Sequence, residues 1–384
     1  MHDSDITPRP TVATIDLDAL EHNFSVLNSF VAPAKVMAVI KANAYGHGLL
    51  ACGRQLERCG AAALGVAFLE EGVALRKAGL KLPILVLGGI FEGQIQDFLT
   101  YDLDITASSL EKLTAINARA AESGKRARVH LKIDTGMNRI GVRAGSAPAL
   151  VEAAVKASHC DVVGIFSHLA TADEEPLDDA REQVALFKEV LSGVQSLIPD
   201  AVPHIANSAA MLRIKESQLG MVRPGVALFG NEPSPGLRLP VELRQVMKLE
   251  SRVVFFKVIP AGAGVSYGHR WRAEKQSRLV TIPLGYGDGY TRHYSNVASV
   301  LIRGKRYPVV GSVCMDQLMV NIGDDEAYNG DEVVLIGAQG GEKITAGELA
   351  ELSGTVPHEV TTAISSRVPR RFIRGGKQIK ESQV

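Results

Sequence analysis

The sequence predicts an α/β protein in which a (β/α)8 barrel over residues 14–240 is followed by a mainly β domain over residues 241–384. Three observations carry this. Up to about residue 240, short near-continuous apolar runs alternate with amphipathic stretches, the pattern of a parallel sheet buried on both faces. Polar residues cluster at the ends of those runs. Beyond that point β-rich runs follow one another, separated by Gly, Pro and Asp.

In chain order the strand-like runs are 36–41 (VMAVIK), 63–68 (ALGVAF), 84–88 (ILVLG), 104–107 (DITA), 128–134 (RVHLKID), 162–168 (VVGIFSH), 203–208 (PHIANS) and 221–230 (MVRPGVALFG). Between them lie helix-like segments such as 108–124 and 177–197, whose apolar residues recur at three- and four-residue spacing. Eight such units in about 230 residues suit a closed barrel. An open doubly wound sheet gives the same alternation. The barrel is favoured because Lys41, Lys132, Asp134, His168, Asn207, Ser208 and Arg223 fall at or just past strand C-termini, where barrel active sites form. Residues 231–240 (NEPSPGLRLP), with three prolines, read as the linker. The second domain is built from LESRVVFFKVI, RLVTIPLGYG, ASVLIRG, RYPVVG, QLMVNIG and DEVVLIG, with one helix around 345–354. Residues 1–13 are expected to pack with it.

Lys+Arg and Asp+Glu both total 42, so the formal net charge is zero. That balance gives no footprint for nucleic acid or an anionic membrane, and it does little to oppose self-association. The four cysteines, Cys52, Cys59, Cys160 and Cys314, form no CxxC pair, which suggests a reducing compartment. The N-terminal stretch lacks the basic start and apolar run of a signal peptide, and no run approaches the roughly 20 apolar residues of a membrane span. A cytoplasmic protein without membrane contact is expected. No HxH or HExxH spacing points to a metal, and no GxGxxG follows a strand.

Lys41 ends an apolar run. Burying an ammonium costs several kcal/mol and depresses its pKa. Such a lysine is either ion-paired or kept as a neutral amine able to form a Schiff base, and spacing alone leaves both open. By the same standard His168 reads as a satisfied core histidine, and Arg223 as a strand-end arginine.

Wider sequence context narrows these choices. KANAYGHG (41–48) resembles the cofactor-lysine signature of the alanine racemase family. HLKIDTGMNRIG (130–141), HIANSAA (204–210), VRPGVALFG (222–230), VSYG (265–268), GYGDGY (285–290), GSVCMDQLMV (311–320) and ISSRVPR (364–370) resemble further motifs of that family in the same order. The resemblance implies a pyridoxal 5′-phosphate enzyme that interconverts L- and D-alanine and supplies D-alanine for peptidoglycan. Lys41 would carry the cofactor and act on the D-side proton. Tyr267 would act on the L-side proton from the partner subunit of a homodimer. His168 and Arg223 would supply the environment a tyrosine base needs, with Arg223 facing the pyridine nitrogen and restraining side reactions such as transamination. Arg139 would hold the cofactor's phenolic oxygen and the substrate carboxylate, steadied by Lys132, which the family commonly carries as a carbamate. Tyr45, Ser208, Gly225 and Val226 match the phosphate-binding positions. Met315 would offer its backbone N–H near the substrate carboxylate, beside Asp316, and Tyr286 would line the entrance.

The chain departs from the family pattern in TVPHEVTTAIS, where Pro357 and His358 replace the usual Asn-Tyr. His358 can still donate to phosphate but fills less volume, which predicts a roomier pocket and a broader alanine/serine racemase as the alternative. Asn138 for a common glycine and Gly287 for a common alanine are expected to be mild changes. A decarboxylase of similar architecture would need an acidic residue where this chain has Arg223. A non-catalytic cofactor-binding barrel would have no reason to keep Tyr267 or residues 241–384.

Overall fold

A computed structural model describes residues 7–384. Eight parallel strands form a ring: β1 (Lys35–Val39), β2 (Ala63–Val66), β3 (Ile84–Val86), β4 (Asp104–Ala107), β5 (Ala127–Asp134), β6 (Cys160–Phe166), β7 (Val202–His204) and β8 (Met221–Val222). Each bonds to the next, and β8 closes on β1 through Met221 beside Lys35 and Val222 beside Val36. Closure removes sheet edges. Each of the eight runs read from the sequence overlaps one of these strands, in order, four of them starting one or two residues late.

Alternation along β5 explains how the barrel is filled. Val129, Leu131 and Ile133 are fully buried on one face, while Arg128, His130 and Lys132 fall on the other. The second face is the barrel interior, because His130 reaches His204 on β7, two strands away. Helices cover the outside, including Leu110–Glu122, whose N-terminus is capped by Ser109 accepting from the Lys112 amide at 3.1 Å.

The barrel begins slightly later than residue 14. Strand Val12–Asp16 lies in the second domain's sheet, antiparallel to Met247–Arg252 and parallel to Arg370–Arg374. The chain enters the barrel through helix Leu17–Val31, capped by Asp16. A single apolar strand at a domain junction fits either sheet, so its pairing was not readable locally. Residues 1–6 lie outside the described residues. Arg9 bonds to the Pro283 carbonyl and the Asp288 carboxylate, and Thr11 to Ser251, all in the β domain.

The β domain holds an eight-stranded sheet and a three-stranded antiparallel sheet of Phe255–Ile259, Ser277–Ile282 and Leu318–Gly323. Two late helices interrupt it rather than one: Ala346–Ser353, and Pro357–Ala363 with proline in its first turn. The second helix leans on the barrel. A Cβ at Gly46 would lie 2.1 Å from the Thr361 carbonyl oxygen. That close approach brings His358 to the barrel mouth. Among the described residues no helix is long and apolar enough to cross a membrane.

Candidate active site

Lys41 leaves the C-terminal end of β1 into a turn of unusual handedness. Ala42, Asn43, Ala44 and Tyr45 all have φ between +51° and +55°. Left-handed backbone costs an L-residue about 1–2 kcal/mol, so the turn must be held from outside. Glu71 accepts from the Ala42 amide at 2.6 Å, and Asn43 from the Leu49 amide at 2.8 Å. His47 Nδ1 lies 2.9 Å from the carbonyls of both Ala44 and Tyr45 and therefore carries its proton there. Arg370 donates to the Gly46 carbonyl at 2.9 Å. These contacts fix the backbone from which the Lys41 amine projects. Burial first, and then nearby Arg139, hold that amine below its usual pKa, against the opposing pull of Glu71.

The amine enters a cavity of about 300 Å³ lined by Tyr45, Lys132, Arg139, His168, Ser208, Arg223, Gly225, Val226 and His358 among others. This is a volume on the scale of a small cofactor site. Its floor is Arg223. The guanidinium donates to the carbonyls of Ser167 at 2.7 Å and Ile205 at 3.1 Å, and to ring nitrogens of His204 at 2.8 Å and His168 at 3.2 Å. Arginine only donates, so His168 Nδ1 accepts and its proton sits on Nε2. Burial and then Arg223 hold His168 well below its usual pKa, which keeps it neutral near pH 7.

Lys132 ends up beside other cations. Its amine lies 3.3 Å from the Ile133 carbonyl oxygen and 4.9 Å from the centre of the Phe166 ring. Burial, followed by Arg223, lowers its pKa to about 7, with Asp134 opposing and Arg139 adding to the fall. As an ammonium, Lys132 cannot pair with Arg139.

At the far end of the cavity Ser208 Oγ accepts from the Gly225 amide at 2.9 Å and the Ala227 amide at 3.3 Å, leaving its hydroxyl proton to donate. The N–H of Gly225, which matches a phosphate-binding position, is thus engaged by Ser208. A Cβ at Gly225 would lie 2.4 Å from the Tyr45 hydroxyl. Burial holds that hydroxyl above its usual pKa, so it remains a donor. His358 meets the Tyr45 ring edge-on at 6.1 Å, and its Nδ1 is buried with no hydrogen-bond partner among the described residues. Hydroxyls and an orphaned imidazole nitrogen at one end, an amine of lowered pKa in the middle and a guanidinium at the floor fit pyridoxal phosphate.

Tyr267, Tyr286, Met315 and Asp316 do not line this cavity in their own chain. They gather on one exposed face of the β domain. Tyr286 and Gly287 amides donate to the carbonyls of Cys314 and Met315 at 3.0 and 2.9 Å. Ser266 donates to the Ser312 carbonyl at 2.6 Å, and Ser312 to that of Tyr267 at 2.9 Å. Asp316 is held by Arg367 at 2.6 Å. Tyr267 itself is 73% exposed. Of the two departures expected to be mild, Asn138 adopts φ +54° and turns its amide to the Gly136 carbonyl, a conformation asparagine tolerates. An alanine at 287 would lie 2.3 Å from Arg367 Nη1, so glycine leaves room for that guanidinium.

Sequence reasoning passed over His130, His204 and Asp104, although the two histidines stand inside the quoted motifs. The period-2 polar face of RVHLKID was the available signal for His130.

The chain was compared with known proteins. The alanine racemase N-terminal domain family matches residues 15–233, and the C-terminal domain family residues 246–372. Alanine racemase of Symbiobacterium thermophilum is 43% identical over 366 residues, spanning 95% of this chain and 97% of that one. Alanine racemase of Halothermothrix orenii is 41% identical with the same coverage. The crystal structure of alanine racemase from D-cycloserine-producing Streptomyces lavendulae superposes with a TM-score of 0.92 at 38% identity, covering 96% of this chain and 98% of that one. Matched in both halves and over nearly its whole length, the chain belongs to the alanine racemase family, isomerases that depend on pyridoxal 5′-phosphate.

Proposed function

We propose that the protein interconverts L- and D-alanine using two proton-carrying groups, Lys41 and Tyr267 of the partner subunit, on opposite sides of the cofactor. One observation carries this reading. The cavity presents an amine of lowered pKa, while Tyr267, Tyr286 and Met315 lie exposed on the β domain outside it. Pyridoxal phosphate, when bound, supplies the electron withdrawal that acidifies the substrate Cα–H.

The chain's own groups do the rest. The Lys41 amine takes or returns the proton on the D side, and the Tyr267 hydroxyl does so on the L side. A tyrosine of ordinary pKa near 10 needs a cationic setting to act near neutrality. His168, fixed by Arg223 with Nε2–H outward, is the group that transmits that setting. Arg223 would face the pyridine nitrogen of the bound cofactor and keep it unprotonated. Tyr45, Ser208, Gly225, Val226 and His358 hold the phosphate. Arg139 and the Met315 backbone N–H grip the substrate carboxylate, Asp316 fixes the Met315 loop, and Tyr286 guards the entrance. The assembly is a homodimer, and its product supplies peptidoglycan synthesis in the cytoplasm. The test is direct: purified enzyme given L-alanine should bring the two enantiomers to equal amounts, read by chiral chromatography. No D-alanine above a protein-free control would end the proposal.

Lys132 acts as a carbamate, its nitrogen adding to carbon dioxide with loss of a proton. The resulting anion is what lets it pair with Arg139. Because the amine titrates near pH 7, the neutral nucleophile grows as pH rises through about 7. Carbon-13 bicarbonate should therefore give a carbamate NMR signal that strengthens over that range and is absent from Lys132→Met. An unlabelled wild-type enzyme in that experiment would refute the assignment.

His358 supports a second, broader reading in which serine is also racemised. Its ring is smaller than the tyrosine usual there, and it lines the cavity. The kcat/KM for serine should fall less than 1,000-fold (about 4 kcal/mol) below that for alanine. His358→Tyr should widen the gap. A larger gap in the wild-type enzyme removes this reading.

A further inference from the structure

Arg223 is a buried cation whose direct partners are two carbonyls and two imidazoles. Following its hydrogen bonds through the barrel leads to a carboxylate. His204 Nδ1 lies 2.8 Å from Arg223, and His204 Nε2 lies 3.0 Å from His130 Nδ1. His130 Nε2 lies 3.2 Å from Asp104 Oδ2. Asp104 is also bonded by Arg128, at 2.7 and 3.2 Å, where the barrel opens to solvent. Asp104, His130 and His204 are 2%, 4% and 0% exposed.

The proton positions along this path are forced. Arginine can only donate, so His204 Nδ1 is a lone pair and its proton is on Nε2. His130 Nδ1 must then accept, which leaves the His130 proton on Nε2, aimed at Asp104. A charged ring at either histidine would set two N–H groups against each other. Burial works to raise the Asp104 carboxyl, but hydrogen bonds from His130 and Arg128 outweigh it, so it stays ionised.

Strand β6 builds the seat for these rings. Phe166 stacks on His204 with centroids 4.9 Å apart and planes 3° from parallel, and meets His130 edge-on at 6.4 Å. A Cβ at Gly164 would lie 2.2 Å from His130 Nδ1, so only glycine leaves room for that ring.

We infer that Asp104, acting through His130 and His204, is the countercharge that orients the Arg223 guanidinium, which makes all three positioning residues for it. The inference rests on the reading of Arg223 as the group facing the cofactor ring. A buried hydrogen-bonded chain ending in an anion polarises each link toward its donor. The guanidinium is thereby kept charged and aimed, although the nearest carboxylate on the path lies three hydrogen bonds away.

Two measurements test this. In holoenzyme labelled with nitrogen-15 histidine, long-range proton–nitrogen spectra should show His130 and His204 both protonated at Nε2 and bare at Nδ1. A proton on Nδ1 of either ring overturns the relay. In Asp104→Asn holoenzyme the absorption maximum of the bound cofactor should move. Turnover kcat should fall about tenfold with KM changed less than about twofold, and a larger share of turnovers should end in transamination of the cofactor. A merely structural carboxylate would lower Tm while leaving spectrum and product partition as in wild type, and that result overturns the proposal. If Asp104→Asn does not fold, His130→Gln interrupts the same path and is read by the same spectrum and product partition. Failure of the underlying reading looks different: Arg223→Lys with an unaltered cofactor spectrum would refute the ring-facing role while the wild-type tautomers stood.

Discussion

Replacing Lys41 with alanine is expected to abolish the visible absorption of the bound cofactor and to lower kcat by at least about 10⁴-fold. On the proposed mechanism two roles disappear together: the covalent anchor of the cofactor and the D-side base. The backbone should not suffer. Position 41 only begins the left-handed turn, whose support comes from Glu71, Asn43, His47 and Arg370, all untouched by the change. Circular dichroism should therefore match wild type. Removing a buried amine whose pKa is lowered by burial also removes a desolvation cost, so Tm should not fall. An added alkylamine small enough to enter the cavity should restore part of the proton-transfer role, because the carbon-bound proton remains accessible on that side. A Lys41→Ala enzyme that keeps its colour and its turnover would show that another lysine holds the cofactor.

The same turn shows how far sequence reading could go. VMAVIK gave a strand ending in a lysine, and the lysine stands at the strand's C-terminal end. Four consecutive left-handed residues were not legible, since alanine and tyrosine carry no preference for that region; tertiary contacts to Glu71 and Arg370 impose it. The barrel was legible because its strands are buried on both faces and its polar residues collect at strand ends. β5 carried more information than was drawn from it. Its alternation separates Val129, Leu131 and Ile133 from Arg128, His130 and Lys132, and so points three polar side chains into the barrel. Helix Pro357–Ala363 was hidden for a different reason. Its seven residues include β-branched valine and threonines that weaken the helical pattern, and packing against the Lys41 turn stabilises it. The site residues divide along the same line. Those on the barrel share one cavity with His358 of the β domain, whereas Tyr267, Tyr286, Met315 and Asp316 lie together on another face.

Tyr267→Phe should keep the cofactor's absorption while losing about 10³-fold in kcat in both directions. Phenylalanine preserves the ring and removes only the hydroxyl. The loop that presents it is held by the Ser266 and Ser312 hydroxyls, which donate to the carbonyls of Ser312 and Tyr267 and are left in place by the substitution. Near-wild-type turnover would refute a two-base mechanism. Mixed dimers then ask where the hydroxyl acts. If each site draws Lys41 from one protomer and Tyr267 from the other, a dimer of one Lys41→Ala chain and one Tyr267→Phe chain holds one site with both lesions and one with neither. Random assembly of equal amounts makes half the dimers mixed, with one of two sites intact, so about a quarter of wild-type activity should return. If instead Tyr267 served the cavity of its own chain, every site in every mixed dimer would carry one lesion. Co-expression would then restore no activity.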